Sequence, residues 1–310
     1  MKTDTKTYRS NGKLLITGEY VVLDKAKALA IPTKFGQSLK VEKNKTKTII
    51  WKSYNELNEL WFEDEFSIND SAIRLRVKAK NYTDVSKRLI QILRATYDLN
   101  PEFLSSKQGY KITTHQDFNR LWGLGTSSTL INNIADWAHV DAYKLLEKTF
   151  SGSGYDIACA QNSKPITYQL RYAQNPLVET VDFNPDFKSQ LYFVYLNHKQ
   201  NSRDGIASYR KKAKVDTSII DAINSITEAI ITCEVLSEFE KLVNTHETII
   251  SKLIDQKPIK SLLFKDFKGS VKSLGAWGGD FVLVTSQDDP TEYFASKGFE
   301  VVISYIDMVI

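Results

Sequence analysis

The 310-residue chain contains little of what marks secreted, membrane-spanning or zinc-binding proteins. Its two cysteines, Cys159 and Cys233, lack metal-ligand spacing, which predicts a reducing compartment and two small buried thiols. The four histidines are dispersed, and no pair of them has the spacing of zinc ligands. No apolar run approaches membrane-spanning length, and the polar start, Met1 to Ser10, predicts no secretory signal. We therefore expect a cytoplasmic protein that does not cross a membrane.

The chain also lacks a strong excess of charge of either sign. Its formal net charge is +4, and its basic residues are scattered, so we expect no nucleic-acid partner. An apolar content of 42% over 310 residues is enough for a substantial core, in one large domain or two ordinary ones. The sequence leaves a monomer and a homodimer both open.

A glycine-rich segment, Gly123-Leu124-Gly125-Thr126-Ser127-Ser128, stands before a predicted helix. Leu130, Ile131 and Ile134 follow at three- and four-residue spacing, which is typical of the apolar face of a helix. The unpaired N–H groups and the dipole at a helix start favour an anion, and glycines allow it to approach closely. The segment is not a Walker A loop, because no Gly-Lys-Ser/Thr follows. Taken alone, it fits a phosphate site and an ordinary glycine turn equally well.

The rest of the chain predicts an α+β protein with two domains, residues 1–186 and 187–310. Alternating residues 38–42 and 48–53 predict two paired strands, and residues 77–97 predict a helix. A strand is predicted at 109–115 and a short helix at 143–150, with another helix starting at Tyr155. A second glycine loop, residues 275–280, stands between predicted strands 271–274 and 281–285, and the last strand is predicted at 299–305.

Four charged residues stand at breaks in regular structure: Lys13, Glu19, Asp156 and Asp280. Each alone has an ordinary explanation, such as a surface lysine or a carboxylate at a helix start. Phosphoryl transfer needs a phosphate-binding loop, a cation and a carboxylate at the attacking hydroxyl. The glycine loops together with these charged residues match that set. No serine–histidine pair or zinc pattern competes with this interpretation.

Four segments in order resemble the GHMP family of small-molecule kinases, which includes galactokinase and the homoserine, mevalonate and phosphomevalonate kinases. Residues 11–20 (NGKLLITGEY) resemble the family's Pro-Gly-Lys-x-x-x-x-Gly-Glu-His motif, and residues 123–128 resemble its Gly-Leu-Gly-Ser-Ser-Ala loop. Residues 152–156 resemble its Ser-Gly-x-Asp turn and continue into Gly-Tyr-Asp-Ile-Ala (GYDIA, 154–158), which suggests a mevalonate- or phosphomevalonate-kinase-like subgroup. Residues 275–280 resemble its Gly-Ala-Gly-Gly-Gly motif.

This resemblance implies a two-domain GHMP kinase fold, with an N-terminal ribosomal-protein-like α/β domain and a C-terminal ferredoxin-like domain. It implies ATP and Mg²⁺ as cofactors, with Asp156 and Lys13 as the catalytic residues. The residues that it assigns to the ATP phosphates are Gly123, Leu124, Gly125, Thr126, Ser127 and Ser128. Those that it assigns to the acceptor are Glu19, Tyr20, Lys199, Ser202, Arg203, Gly278, Gly279 and Asp280. Its magnesium ligands would be Ser127 and Glu147.

The chain departs from the family pattern at several places, among them Thr126 and Ser128, which replace the usual serine and alanine of the phosphate loop, a chemically mild change. Trp277 replaces a glycine of the third motif, and Tyr20 replaces a histidine of the first. Glu147 is only nine positions before Asp156, closer than the family spacing, and fits a solvated helix residue equally well.

The resemblance implies that the acceptor is a small molecule with a hydroxyl or phosphate group, with mevalonate as the first candidate and phosphomevalonate as the second. A non-catalytic sensor of the same fold and a relative of diphosphomevalonate decarboxylase are the alternatives.

Overall fold

The computed structural model describes residues 5–71, 74–104, 108–172, 174–200, 202–211 and 215–310. The strands are β1 (Thr5–Leu15), β2 (Ala28–Asn44), β3 (Thr48–Tyr54), β4 (Leu60–Ser71), β5 (Arg74–Ala79), β6 (Gly109–Gln116), β7 (Ile166–Arg171), β8 (Gln174–Thr180), β9 (Leu191–Tyr195), β10 (Val271–Ser273), β11 (Phe281–Thr285) and β12 (Val302–Ser304). The helices are α1 (Asp84–Leu99), α2 (Thr126–Ala138), α3 (Ala142–Thr149), α4 (Tyr155–Gln161), α5 (Ser202–Arg210), α6 (Thr217–Ile231), α7 (Leu236–Ile254), α8 (Ile259–Leu263), α9 (Thr291–Ser296) and α10 (Tyr305–Met308). Among these residues, no helix is both long and apolar enough to cross a membrane.

The chain forms two compact units, each assembled from several segments. Unit 1 comprises Met1–Gly12, Phe35–Arg120 and Leu124–Gln161. Unit 2 comprises Lys13–Lys34, Leu121–Gly123 and Asn162–Ile310. Each unit contains three separate segments of the chain, so the two units cannot be divided at one residue. The domain boundary predicted at residue 186 therefore stays a prediction.

Unit 1 is a sheet covered by helices. Its strands run in the order β5-β4-β3-β6-β2, and β1 pairs with β2. In β3, Ile49, Trp51 and Ser53 are buried while their neighbours are half-buried, so one face of the sheet is turned to the core. Helices α1, α2 and α3 pack against one another. Leu93 of α1 and Ile134 of α2 are fully buried in the same core cluster as Trp51, so the apolar helix faces cover the sheet.

Unit 2 contains a second, antiparallel sheet in the order β10-β11-β9-β12. Val194 of β9, Val282 of β11 and Phe264 form part of its core. A separate apolar cluster joins Tyr20 and Trp277 to Ile223 of α6 and Ile250 of α7. This second cluster therefore packs the first-motif segment (residues 11–20), through Tyr20, and the second glycine loop, through Trp277, against the same helices, α6 and α7.

The mixed α+β class is confirmed, and so are most of the predicted elements. The strand at 109–115 is β6, the helix at 143–150 is α3, and a helix does begin at Tyr155. β10 and β11 flank the second glycine loop as predicted. Both cysteines are buried.

The predicted pairing of residues 38–42 with 48–53 is wrong. Both segments are strands, but β6 lies between them, antiparallel to β2 and parallel to β3. Alternation of apolar residues identifies a strand and its buried face, whereas its neighbour depends on pairings with distant parts of the chain.

Two predicted boundaries also differ from the structure. The helix predicted from residue 77 begins at Asp84, because residues 74–79 pair with β4 as a hairpin. The Thr83 hydroxyl accepts a hydrogen bond from Ser86 N at 3.1 Å and caps the helix start. The last strand ends at Ser304, whose hydroxyl accepts from Asp307 N at 3.1 Å and begins α10.

Candidate functional site

The first glycine loop ends at the start of α2, as its sequence predicts. Gly125 has a left-handed backbone (φ 98°) directly before Thr126, a conformation that suits glycine. The hydroxyls of Ser128 and Thr129 both donate to the carbonyl of Gly125 at 3.0 Å. Within the described part of the chain, no side chain caps the N-terminus of this helix. The first backbone N–H groups therefore remain directed outward, as a phosphate site requires.

The hydroxyl-bearing residues of this loop differ in exposure. Thr126 is half-buried, and its hydroxyl accepts a hydrogen bond from Gln116 Nε2 at 2.9 Å. Ser128 is buried and Ser127 is exposed. Leu124 is fully buried and anchors the loop on the core. Ser127 is thus the hydroxyl that a ligand at this helix start meets most easily.

Lys13 lies beside the first glycine of the loop, in unit 2. Its side chain is half-buried, and its Nζ donates to the carbonyl of Gly123 at 2.9 Å. Gly123 has φ 69°, and a Cβ at this position would lie 2.3–2.5 Å from the carboxyl atoms of Asp280. Glycine is needed here for both its backbone conformation and the close approach of Asp280. The predicted cation, the first loop glycine and the aspartate of the third motif are therefore neighbours.

Asp280 is fixed by backbone groups of the loop after β9. Its backbone N–H donates to the carbonyl of His198 at 2.7 Å, and Gln200 N donates to its Oδ1 at 3.3 Å. Burial raises the pKa of Asp280, and the charges of Lys13, Lys199 and His198 act in the opposite direction. The carboxylate is thus held near cations without being solvated freely.

Glu19, which the resemblance assigns to the acceptor, is held by buried charged neighbours. It is fully buried, with Oε1 in an ion pair with Nζ of Lys272, which is 1% exposed. Its Oε2 is 3.4 Å from Nε2 of His246, and that nitrogen accepts a hydrogen bond from Gly18 N at 3.0 Å. Its contact with an acceptor stays a prediction; its observed neighbours are Lys272 and His246.

The ionisable groups around Lys272 have perturbed pKa values with identifiable causes. Burial raises the pKa of Glu19, although the charge and hydrogen bond of Lys272 oppose this rise. Burial lowers the pKa of His246 well below its usual value, and Lys272 adds to the effect. Burial also raises the pKa of Glu247 to about 7, against the opposing charge of Lys272. We call Glu19, His246, Glu247 and Lys272 the buried charge cluster.

Glu247 connects this cluster to strand β10. It accepts hydrogen bonds from Ser273 N at 3.1 and 3.2 Å and from the Ser273 hydroxyl at 2.8 Å. Because Ser273 directly precedes the second glycine loop, the cluster fixes the strand from which that loop emerges.

Asp156 and Glu147 lie in unit 1. Asp156 is half-buried in the first turn of α4, after glycines with φ 123° (Gly152) and 90° (Gly154). Helix α4 packs against α2, whose N-terminus ends the first glycine loop. Glu147 is exposed on α3. In the part of the chain that is described, no group of three His, Cys, Asp or Glu residues is arranged to hold a metal ion.

The remaining predicted acceptor residues lie in unit 2. Lys199 is exposed in the loop after β9, Gly278 is exposed and Gly279 is buried. Ser202 and Arg203 begin α5; their side chains, like Asn201, lie outside the described residues. Trp277 is fully buried with φ 52° and packs with Tyr20, so the residue that replaces a family glycine points into the core.

Three residues of the buried charge cluster are not among those predicted from the sequence: Lys272, His246 and Glu247. Lys272 has a signal in the sequence, because it interrupts the apolar run Val271 to Leu274 of a predicted strand. A lysine in such a run needs a buried partner of opposite charge. His246 and Glu247 lie in a long amphipathic helix among polar neighbours, where nothing distinguishes them from surface residues.

The fold of this chain is shared by solved structures of other proteins, whereas comparisons of its sequence find no match. No protein-family model matches the chain, and no curated protein matches it either. Solved structures do match over nearly its whole length. One is a mevalonate kinase, with a TM-score of 0.67 and 15% identity over 98% of this chain and 100% of that chain.

Two further structures extend the comparison. A Streptococcus pneumoniae phosphomevalonate kinase, in complex with phosphomevalonate and AMPPNP, gives a TM-score of 0.69 and 15% identity, covering 96% of this chain and 99% of that one. A Lactococcus lactis galactokinase complexed with galactose gives 0.64 and 11%, covering 95% and 88%. The chain therefore has the two-domain GHMP kinase fold.

Proposed function

We propose that this chain is an ATP-dependent small-molecule kinase that transfers the γ-phosphoryl group to a hydroxyl- or phosphate-bearing acceptor. The observation that carries the proposal is the contact of Lys13 Nζ with the carbonyl of Gly123, the first residue of a glycine loop that ends at an uncapped helix start. Phosphoryl transfer needs a cation close to where the phosphates are bound. The GHMP kinase fold supports the same activity.

The proposed roles follow from the chemistry of each group. The backbone N–H groups around Gly123, Gly125 and Thr126 bind the phosphates, and Lys13 stabilises the charge that develops on the transferred group. Asp156 orients the acceptor hydroxyl and takes its proton as the hydroxyl oxygen bonds to the γ-phosphorus and the bond from that phosphorus to the β–γ bridging oxygen of ATP breaks, releasing ADP. Lys199, Ser202, Arg203 and the loop ending at Asp280 bind the acceptor. Glu19 acts by fixing the first-motif segment.

Magnesium fits this arrangement as a partner of ATP. Mg²⁺ keeps several waters and is usually bound by substrate phosphates plus one or two protein oxygens, so no large carboxylate cluster is needed. The exposed Ser127 hydroxyl at the helix start and the Glu147 carboxylate are the oxygen donors proposed for it. Bound there, the ion would neutralise charge on the phosphates.

Mevalonate is the first candidate acceptor and phosphomevalonate the second. Tyr20 in place of histidine and the aspartate that ends the Gly278-Gly279-Asp280 run both lean towards phosphomevalonate kinases. The exposed Lys199 beside Asp280 supports an anionic acceptor in either case.

The test is ATP consumption by the purified protein with magnesium and a panel of mevalonate, phosphomevalonate, homoserine and sugars. We expect turnover with one acceptor and a strong loss of it in Asp156→Asn. No turnover with any acceptor, but ATP binding that survives in both proteins, would favour the non-catalytic sensor. Release of carbon dioxide from diphosphomevalonate would favour the decarboxylase.

A further inference from the structure

Tyr20 adopts a backbone conformation that L-residues rarely occupy. Its φ is 63° and its ψ is −50°, and the N–H of Val21 donates to the carbonyl of Glu19 at 2.7 Å. These values describe a γ-turn of the rare, strained type with Tyr20 at its centre. Such strain persists only where surrounding contacts hold the residue in place, and it concentrates at functional positions.

The side chain of Tyr20 supplies those contacts. It is 7% exposed, and its hydroxyl donates to the carbonyl of Ala276, in the second glycine loop, at 2.8 Å. Its ring lies 5.4 Å from that of Tyr209, near the end of α5. The Tyr209 hydroxyl in turn donates to Asp24 at 2.5 Å. One side chain thus contacts both the glycine loop and α5.

Gly205, in the first half of α5, completes this arrangement. A Cβ at Gly205 would lie 2.6 Å from the Tyr20 hydroxyl, but 3.3 and 3.4 Å from the nearest ring carbons. The severe clash is therefore with the hydroxyl oxygen, whereas the ring carbons are in tight contact that a shift of a few tenths of an ångström relieves. Glycine is unfavourable within a helix, and this one has no positive φ that would require it. Close approach of the Tyr20 hydroxyl is the physical reason for glycine here.

The segment before α5 also contacts the second glycine loop, through His198 and Gln200. A Cβ at Gly279 would lie 2.6 Å from the carbonyl of His198, and Gln200 N donates to Asp280. Two independent contacts, at Asp280 and at Tyr20, therefore fix the start of α5 relative to the glycine loop.

We propose that Tyr20 is a positioning residue, whose hydroxyl sets the distance between α5 and the second glycine loop by contacting Gly205 and Ala276. The first turn of α5 carries Ser202 and Arg203, which are proposed to bind the acceptor, so this inference rests on the proposed function. In this role Tyr20 acts through α5 and the glycine loop, while the contact with the acceptor that the resemblance implies for it stays a prediction. It determines how far the residues at the start of α5 stand from the loop that ends at Asp280.

The test is a double-mutant cycle of Gly205→Ala and Tyr20→Phe in the full-length protein. In the wild-type background, Gly205→Ala pushes α5 away from the hydroxyl. We expect KM for the acceptor to rise about two- to tenfold, with kcat and KM for ATP unchanged, and the melting temperature to fall about 2–4 °C. In the Tyr20→Phe background the clashing oxygen is absent. The same substitution should then leave KM unchanged and raise the melting temperature, because alanine favours the helix.

Tyr305→Phe is the matched control. Its buried hydroxyl also donates to a backbone carbonyl, that of Phe183 at 2.8 Å, in a part of unit 2 outside α5 and the glycine loops. It should lower the melting temperature without changing KM for the acceptor.

The outcomes separate the two proposals. A wild-type protein without turnover contradicts the proposed function and the positioning role that rests on it. If the wild type turns over but Gly205→Ala keeps its KM for the acceptor, the positioning role alone is wrong. If Gly205→Ala changes the melting temperature equally in both backgrounds, the contact with the Tyr20 hydroxyl is wrong.

Discussion

Two lysines of unit 2 show how differently the same side chain is used. Lys13 is half-buried, and its ammonium group donates to the carbonyl of Gly123 near Asp280. Lys272 is 1% exposed and forms an ion pair with the fully buried Glu19. A half-buried cation at a helix-start loop is accessible to an anionic ligand, whereas a fully buried ion pair can only hold chain segments together. We infer that Lys13 belongs to the chemistry and Lys272 to the scaffold.

The largest effect on stability is expected when Lys272 is removed. Lys272→Met leaves the Glu19 carboxylate buried without its counter-ion, and we expect the free energy of unfolding to fall by about 3–5 kcal/mol. Urea unfolding, followed by circular dichroism, measures this change.

The double variant Lys272→Met/Glu19→Gln sharpens the result, because it removes both charges together. It should recover more than half of the lost stability. A single variant as stable as the wild type would mean that Lys272 is not a buried partner of Glu19, and the contrast between the two lysines would disappear.

Removing Lys13 should produce the opposite pattern. Lys13→Met is expected to lower kcat by about 10²–10³-fold, the usual effect of losing one group that stabilises transition-state charge. Its free energy of unfolding should change by only about 0.5 kcal/mol, because the side chain is half-exposed. Steady-state kinetics and urea unfolding on the same preparation test both statements. A Lys13 variant that is unstable yet still active would reverse the assignment.

The buried charge cluster also predicts a pH dependence of stability. The pKa of Glu247 is about 7 in the folded protein, above the ordinary 4.5 of a glutamate. The folded state therefore holds the proton more tightly, so this contribution is full below about pH 4.5 and is lost as the pH rises to about 7. Its size is on the order of 3 kcal/mol.

The pKa shifts of two other members of the cluster also contribute to the pH dependence of stability. Glu19 has a raised pKa and acts in the same direction as Glu247. His246 has a lowered pKa, so its contribution is present above the ordinary value of 6.5 and is lost as the pH falls from there through the lowered pKa. Urea unfolding of wild type and Glu247→Gln from pH 5 to pH 8 isolates Glu247, because the other groups are common to both proteins. Identical pH profiles would show that Glu247 does not titrate in this range.

The smallest expected effect concerns Ser127. Ser127→Ala removes the exposed hydroxyl at the start of α2, and we expect the magnesium concentration for half-maximal activity to rise about two- to tenfold. Ser218 is a matched control, because it is also an exposed serine at the second position of a helix, α6. Ser218→Ala should leave the magnesium dependence unchanged. Equal behaviour of the two variants would remove Ser127 from the metal site.

The sequence predicts the local features of this protein better than its long-range contacts. The glycine loop before α2 and the second loop between β10 and β11 follow from short patterns of glycine and apolar residues. The position of β6 between β2 and β3 does not follow from such patterns, because it depends on the pairing of residues 61 to 79 positions apart along the chain.

In the candidate site, too, the local motifs are predictable from the sequence and the long-range contacts are not. The neighbourhood of Lys13 and Gly123 was expected from four motifs in order, although nothing in their spacing gives the distance between the two residues. The apolar run around Glu19 indicates that its burial would need a partner, but the sequence does not identify that partner, because Lys272 is 253 positions away. The need for glycine at position 205 is likewise visible only once Tyr20 is seen beside it.

The central claim is tested most directly by identifying the product. Purified wild type and Lys13→Met would be incubated with ATP, magnesium and mevalonate or phosphomevalonate, and the acceptor analysed by mass spectrometry. The account predicts that wild type converts one acceptor into a species heavier by one phosphoryl group, with an equal amount of ADP, while Lys13→Met does so at least about 100-fold more slowly. ADP formed with free phosphate and an unchanged acceptor, or equal product from both proteins, would contradict it.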